Sequence, residues 1–263
     1  IRDSSTSRGL GDVYKRQAQS LSESGVKIAI LDLTEESAQK TIDLIESNGG
    51  EGIGFASNVL SKDSIEKISQ EIIAKWGRVD ILLNAAGGNM QGATIAVDQT
   101  IFDLSIDDFK KVTELNLNGS VIPSLVFGEI MAQQKSGSII NYSSMSVDRV
   151  ITRVVGYSAS KAGIENFTRW MAVEMALKFG CGVRVNAIAP GFFVGNQNRA
   201  LLLNNDGSYT ERGDTIIRNT PMKRFGEAEE LNGATSETTV LSSFTVIVPV
   251  ALTVPQPPVN GIE

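Results

Sequence analysis

The chain has 263 residues, a net charge of −6, one cysteine and no histidine. That length suits one large domain, and the acidic balance argues against nucleic acid and anionic membranes as main partners. Without histidine, Ser-His-Asp and Cys-His catalysis, His-ligated zinc and an imidazole base are excluded.

Proton transfer therefore falls to Tyr, Lys, Asp, Glu or water. A lone cysteine, Cys181, allows no intrachain disulfide and suits a reducing cytoplasm. No apolar run reaches the ~18 residues of a membrane span. No metal site is expected.

Residues 1–17 resemble translated sequencing adapter. Asp12 to Gln17 is one reading frame of GATGTGTATAAGAGACAG, the transposon end used in library preparation. Ser7 to Gly11 and Ile1 to Asp3 continue upstream in that frame. This segment is expected to stand apart from the fold, with Gly9-Leu10-Gly11 a decoy and not a phosphate loop.

The folded body is expected over 18–234. Ala18 to Ser24 ends a helix closed by Gly25. Val26 to Leu33 is a near-continuous apolar run, as in a parallel strand covered on both faces, and it carries Asp32 near its end. Thr34 caps the next helix, with Glu35 and Glu36 in its first turn. Glu51 to Ser57 is a short strand reaching Asn58 and Val59. Ser61 caps a helix with the apolar face Ile65, Ile68, Ile72, Ile73 and Trp76.

Val79 to Leu83 is another buried strand, running into Asn84-Ala85-Ala86-Gly87-Gly88. A long loop reaches Ser105, which caps a helix containing Asn116, with a bend expected at Pro123. Ser138 to Ser144 reads as a strand, Tyr157 to Lys161 as part of a helix, and Val183 to Ile188 as the next strand. After Ala234 the tail, 235–263, is rich in Thr, Val and Pro and has no charge between Glu237 and Glu263. A shifted reading frame or a divergent β-rich tail would account for it.

Strands alternating with helices imply a parallel sheet with helices on both faces. Ligands then sit at the carboxyl ends of the strands. Those ends carry Asp32, Asn58, Asn84 to Gly88, Ser143, Ser144, Pro190 and Gly191. A carboxylate at Asp32 suits the adenosine ribose hydroxyls of a dinucleotide and would repel the extra phosphate of NADP. On a helix Tyr157 and Lys161 share a face, so the ammonium is expected beside the phenol, lowering its pKa for proton transfer near neutral pH. Ser144 is placed to polarise a carbonyl.

These motifs together resemble the short-chain dehydrogenase/reductase family over Ala18 to about Ala234. The matching residues are Asn84-Ala85-Ala86-Gly87, Asn116, Ser144, Tyr157 with Lys161, and Asn186 to Gly191. The resemblance implies a doubly wound, Rossmann-like α/β fold and hydride transfer between NAD and an alcohol or ketone. It implies Tyr157 as acid/base, Lys161 as its pKa-lowering partner on the nicotinamide ribose, Ser144 on the substrate oxygen, and Asn116 holding a relay water. Cofactor contacts are expected from Asp32, Asn58, Val59, Asn84, Ala85, Ala86, Gly87, Tyr157, Lys161, Pro190, Gly191 and Phe193.

Gly87-Gly88-Asn89, Pro190 to Leu202 and Thr220 to Gly226 further resemble family members of the D-mannonate oxidoreductase (fructuronate reductase) type. A sugar-acid substrate needs a cation, and Arg199 and Arg153 are the candidates, since a guanidinium grips a carboxylate bidentately. Asn89, Asn196, Gln197 and Asn198 suit its hydroxyls, with Ser144 on the carbonyl.

Three departures stand out: the family's first strand with its Gly-rich turn is missing, Gly195 stands where a Thr is common, and the last strand is doubtful. A chain lacking a central strand is expected to fold poorly and bind NAD weakly, so an inert truncated fragment is one alternative. A reductase of a 3-oxoacyl thioester or polyol is another; an epimerase or dehydratase, or a non-catalytic dinucleotide-binding regulator, ranks below these. Assembly as a homo-oligomer, a tetramer, is implied by the resemblance alone.

Overall fold

A computed structural model describes residues 11–151, 153–195, 198–233 and 245–250. Helices and strands alternate as the patterning predicts: α1 (Gly11–Glu23), β1 (Lys27–Asp32), α2 (Glu35–Ser47), β2 (Gly52–Ala56), α3 (Lys62–Trp76) and β3 (Ile81–Asn84). Then come α4 (Ile106–Thr113), α5 (Gly119–Gln134), β4 (Gly137–Tyr142), α6 (Val155–Phe179) and β5 (Val183–Ile188). Two short helices, α7 (Arg199–Leu202) and α8 (Glu211–Asn219), precede the last described strand, β6 (Thr245–Val250).

Local chemistry sets the boundaries. Thr34, Ser61 and Ser105 each accept a backbone N–H in the first turn of α2, α3 and α4, which satisfies donors the helix cannot. Gly77 ends α3 at φ +79°, a left-handed conformation that costs glycine little.

All strand pairs are parallel, in the order β2-β1-β6-β3-β4-β5. Side chains alternate between two cores. Ile28 and Ile30 of β1 join Leu21, Ile42, Ile45, Ile81 and Ile140 on one face. Ala29 and Leu31 join Ile65, Ile72, Leu82, Phe127, Ile139 and Met171 on the other. Each fully buried aliphatic side chain contributes about 1.5–3 kcal/mol, so burial on both faces accounts for the continuous apolar runs.

The sheet corrects two expectations. Its order is the doubly wound 3-2-1-4-5-6 pattern, and the central place of the missing first strand is taken by β6. Lys27 to Asp32 pair with Thr245 to Val250, while Ile81 and Leu82 pair with Val246 and Ile247 on the other side. The sheet therefore has no gap, because a β-branched run from the tail supplies the backbone partners. Second, Gly11 to Gln17 do not stand apart: they form the first half of α1. Tyr14 packs on Tyr142 with ring centroids 4.4 Å apart. The Tyr142 hydroxyl donates to Gln17 Oε1, and Gln17 Nε2 donates to Leu231 O at 3.3 Å. Residues 1–10, 235–244 and 251–263 lie outside the described residues. Among the described residues no helix is long and apolar enough to cross a membrane.

Candidate active site

The carboxyl ends of β1, β3, β4 and β5 converge above the centre of the sheet. β4 delivers Ser143 and Ser144 just past Tyr142, and α6 returns with Tyr157 and Lys161 in its first two turns. The Ser144 hydroxyl accepts Ser146 N–H at 3.1 Å and shares a hydrogen bond with the Tyr157 phenol. Lys161 Nζ donates to Tyr142 O at 2.7 Å and lies 5.6 Å from the Tyr157 ring centroid. Ser144, Tyr157 and Lys161 are thus brought together.

Their electrostatics differ from the expectation. Burial holds the Tyr157 phenol above the ordinary tyrosine range, with the Ser144 hydrogen bond acting the other way. Burial also drives the Lys161 ammonium down to about 8. Desolvation favours the neutral form of both groups and is the largest influence on each, while the Lys161 ammonium donates to the Tyr142 carbonyl. A neutral phenol at neutral pH is a proton donor.

Asn116 forms the floor. It lies in a π-turn, Glu114–Asn118, between α4 and α5, a local widening found often at functional sites. Its Nδ2 donates to Gly88 O at 2.6 Å and Val112 O at 2.8 Å, and its Oδ1 accepts Gly88 N–H at 3.0 Å. The side chain holds the glycine turn with both its donors and one lone pair of Oδ1. At Gly87, with φ +149°, a Cβ would stand 2.6 Å from Asn116 Oδ1 and 3.5 Å from Lys161 Nζ. Backbone approaches the site closely there because no side chain intervenes.

The other expected cofactor residues divide. Asp32 is buried; Oδ1 accepts Leu33 N–H at 2.7 Å, while Oδ2 has no partner. Burial raises its carboxyl, against the Leu33 bond and Lys15. An orphaned acceptor at a strand end suits a ligand hydroxyl. Asn84 instead turns into the sheet, where Nδ2 donates to Ser124 Oγ and Asn141 Oδ1, both at 2.8 Å. Its Nδ2 thus cross-links the core, while its Oδ1 has no partner. Ala85, Ala86 and Val59 are buried, Asn58 is exposed and accepts Leu60 N–H, and Pro190 O accepts Met145 N–H. Phe193 is buried against Leu231, and its carbonyl accepts Asn198 Nδ2 at 2.8 Å.

Among the expected substrate residues, Asn89 Nδ2 donates to Thr94 Oγ1 at 2.7 Å and its Oδ1 is unpartnered. Asn198 braces its own loop through Phe193 O and Gly195 N–H. Arg153, at φ +75°, donates from Nε to Ile95 O at 2.5 Å and returns its carbonyl to Ile95 N–H at 3.0 Å. Arg199 is exposed at the start of α7. Asn196 and Gln197 lie outside the described residues. Sequence reading passed over two residues. Burial first, and then Tyr157 and Tyr142, hold the Tyr14 phenol above the ordinary tyrosine range; it sits in the segment set aside as adapter. Arg212, on the first turn of α8, is half-buried, and burial first and Arg153 second disfavour its charged form; no motif marks it.

A family model described as Enoyl-(Acyl carrier protein) reductase matches residues 7–237. The oxidoreductase UxuB of Bacillus subtilis (strain 168), itself uncharacterised, is 42% identical over 233 residues, 86% of this chain and 83% of its own length. A 3-oxoacyl-[acyl-carrier-protein] reductase of Synechocystis sp. is 31% identical over 228 residues, 86% of this chain and 83% of its own. Among solved structures, a protein of Haemophilus influenzae provisionally assigned as a D-mannonate oxidoreductase, with bound NAD, is 38% identical. It superposes with a TM-score of 0.79, covering 90% of this chain and 89% of its own.

Proposed function

The chain belongs to the short-chain dehydrogenase/reductase family, and from that premise we propose that it interconverts a sugar-acid ketone and alcohol, of the D-fructuronate and D-mannonate type, using NAD(H). The observation that carries the chemistry is the grouping of buried Ser144 and Lys161 with the half-buried Tyr157 at the carboxyl edge of the sheet. The residues fit a dinucleotide at two points. The unpartnered Asp32 Oδ2 suits ribose hydroxyls and disfavours a 2′-phosphate, and the cleft at Gly87 has room only because a Cβ is missing.

NAD(H), when bound, supplies or accepts the hydride. The chain does the rest. In reduction, Tyr157 gives its phenol proton to the substrate oxygen as the carbonyl carbon becomes an alcohol carbon, and Ser144 holds that oxygen. Lys161, held on Tyr142 O beside the Tyr157 ring, sets a positive charge near the phenolate as it forms. Asn116 keeps the Gly87-Gly88 turn in position. Oxidation runs the same proton path backwards.

Support for a sugar acid comes from the Haemophilus influenzae relative and from Gly87-Gly88-Asn89, with Asn89 Oδ1 free to accept a hydroxyl. The Synechocystis relative favours a second reading, reduction of a 3-oxoacyl thioester. The same proposal makes the protein a cytoplasmic homo-oligomer, a tetramer by family resemblance. NADH oxidation with D-fructuronate and with acetoacetyl-CoA separates the two substrates; activity on the thioester alone refutes the sugar-acid reading. Tyr157→Phe is expected to lower kcat by about 10²–10⁴-fold, the range of general acid catalysis; full activity in that variant would remove the proposed mechanism.

A further inference from the structure

We propose that Ser143 and Glu165 are positioning residues, a latch that holds Ser144 at the end of β4 against Tyr157 of α6; the assignment rests on the proton-transfer reading of Ser144 and Tyr157 above, and not on the choice of substrate. Residues four apart on a helix share a face, so Tyr157, Lys161 and Glu165 form one stripe along α6. Opposite this stripe runs Tyr142-Ser143-Ser144, the last residue of β4 and the two that follow it.

The two segments are tied at three points. The Ser144 hydroxyl shares a hydrogen bond with the Tyr157 phenol, and Lys161 Nζ donates to Tyr142 O at 2.7 Å. The third tie belongs to Ser143. Its hydroxyl donates to Glu165 Oε1 at 2.7 Å and stands 3.5 Å from Lys161 O. Its N–H donates to Ile188 O at 2.8 Å. Ser143 is therefore fastened to β5 by its backbone and to α6 by its side chain.

The choice of glutamate at this place needs a reason. Ser143 is buried, and the Glu165 side chain keeps only 14% of its exposure. An apolar side chain there would avoid the cost of drawing a carboxylate out of water. The ion pair of Glu165 Oε2 with Arg169 Nη2, at 3.0 Å, does not repay that cost, because Arg169 is exposed. The charge-assisted bond from Ser143 does, being about twice as strong as a neutral one. Ser144 and Tyr157 must address one substrate oxygen from two different elements, and a misplacement of about 1 Å can cost roughly 10²-fold in rate. A bond one residue before Ser144 and one helical turn beyond Lys161 fixes that relation without touching substrate.

The test compares Ser143→Ala, Glu165→Leu, the double variant and Tyr157→Phe, with D-fructuronate and acetoacetyl-CoA for reduction and the corresponding alcohols for oxidation. Ser143→Ala and Glu165→Leu are each expected to lower kcat roughly tenfold or more, with little change in KM for NADH. The double variant should lose no more than either single one, since both remove the same bond. The Ser144 hydrogen bond acts to lower the Tyr157 phenol, so loosening it should move the rise of alcohol oxidation to higher pH. Glu165→Gln keeps an acceptor for Ser143 and should recover most of the activity lost in Glu165→Leu, and Arg169→Ala should behave as the parent. With Tyr157→Phe inactive, unchanged kcat in both single variants overturns the latch alone. Losses that add in the double variant, or that come with a lower Tm and an unmoved pH profile, make the two residues merely structural and also overturn it. An equal loss in Arg169→Ala assigns the effect to the ion pair and overturns the role of Ser143. Full activity in Tyr157→Phe removes the proton-transfer reading and the latch with it.

Discussion

At pH 7 a lysine whose pKa is about 8 still carries its proton, inside a pocket that disfavours it. In the unfolded chain the same group titrates near 10.4. Because the folded value is the lower one, the unfolded state binds more protons between about 8 and 10.4, and stability rises with pH through that window. Lys161→Met removes this dependence. Relative to the parent, the variant should lose up to roughly 3 kcal/mol of advantage between pH 7 and pH 10, read by urea denaturation at several pH values, while its activity disappears. A constant difference across that range would show that burial does not hold Lys161 down. Asp32 has the opposite sign. Burial raises its carboxyl, so its contribution is favourable at low pH and is lost as pH rises. Asp32→Asn keeps an acceptor for Leu33 N–H, and is expected to raise Tm at pH 7 while increasing the NADH KM at least about tenfold. A lower Tm with unchanged KM would make Asp32 an ordinary strand-end carboxylate.

The turn after β3 and the outer face of α6 carry the next scale. Gly87→Ala forces a side chain into a left-handed backbone position and against Asn116 Oδ1. The cost is about 1–3 kcal/mol of stability, and displacement of Asn116 should lower kcat; an unchanged Tm and kcat would mean the turn has slack. On α6, Trp170, Val173 and Leu177 are exposed, and their i, i+3, i+7 spacing puts them on one helix face. Leu125 of α5 is exposed as well. Faces of this kind are usually covered in an assembly, which supports the proposed homo-oligomer. Leu177→Glu is expected to weaken self-association at least about tenfold, visible as a lower mass by light scattering at micromolar protein. A parent that is already monomeric there would refute the oligomer.

For the whole molecule, the strands and most helix caps could be read from the chain because their signals are local. Ile28 to Leu31 is apolar on both faces, and Thr34, Ser61 and Ser105 announce their helices directly. The Tyr157 and Lys161 pair was legible from spacing, but its ionisation was not, since desolvation depends on what closes over the site. The place of β6 was the least legible of all. Thr245 to Val250 reads as β-prone, yet nothing in its composition says that it enters the centre of the sheet. There it hydrogen-bonds to β1 on one side and β3 on the other. β6 already lacks a ladder N–H at Pro249, where β1 alone is its partner, whereas Ile247 lies in the part flanked on both sides, so Ile247→Pro is a sharp test. Ile247 pairs with both Ala29 and Leu82, and a proline there should cost about 3 kcal/mol or more. That is a large share of the ~5–15 kcal/mol by which domains are stable. Loss of a cooperative thermal transition in Ile247→Pro, with the transition kept in Cys181→Ser at the exposed free cysteine, is the expected result. An unchanged Tm in Ile247→Pro would show that the tail does not complete the sheet.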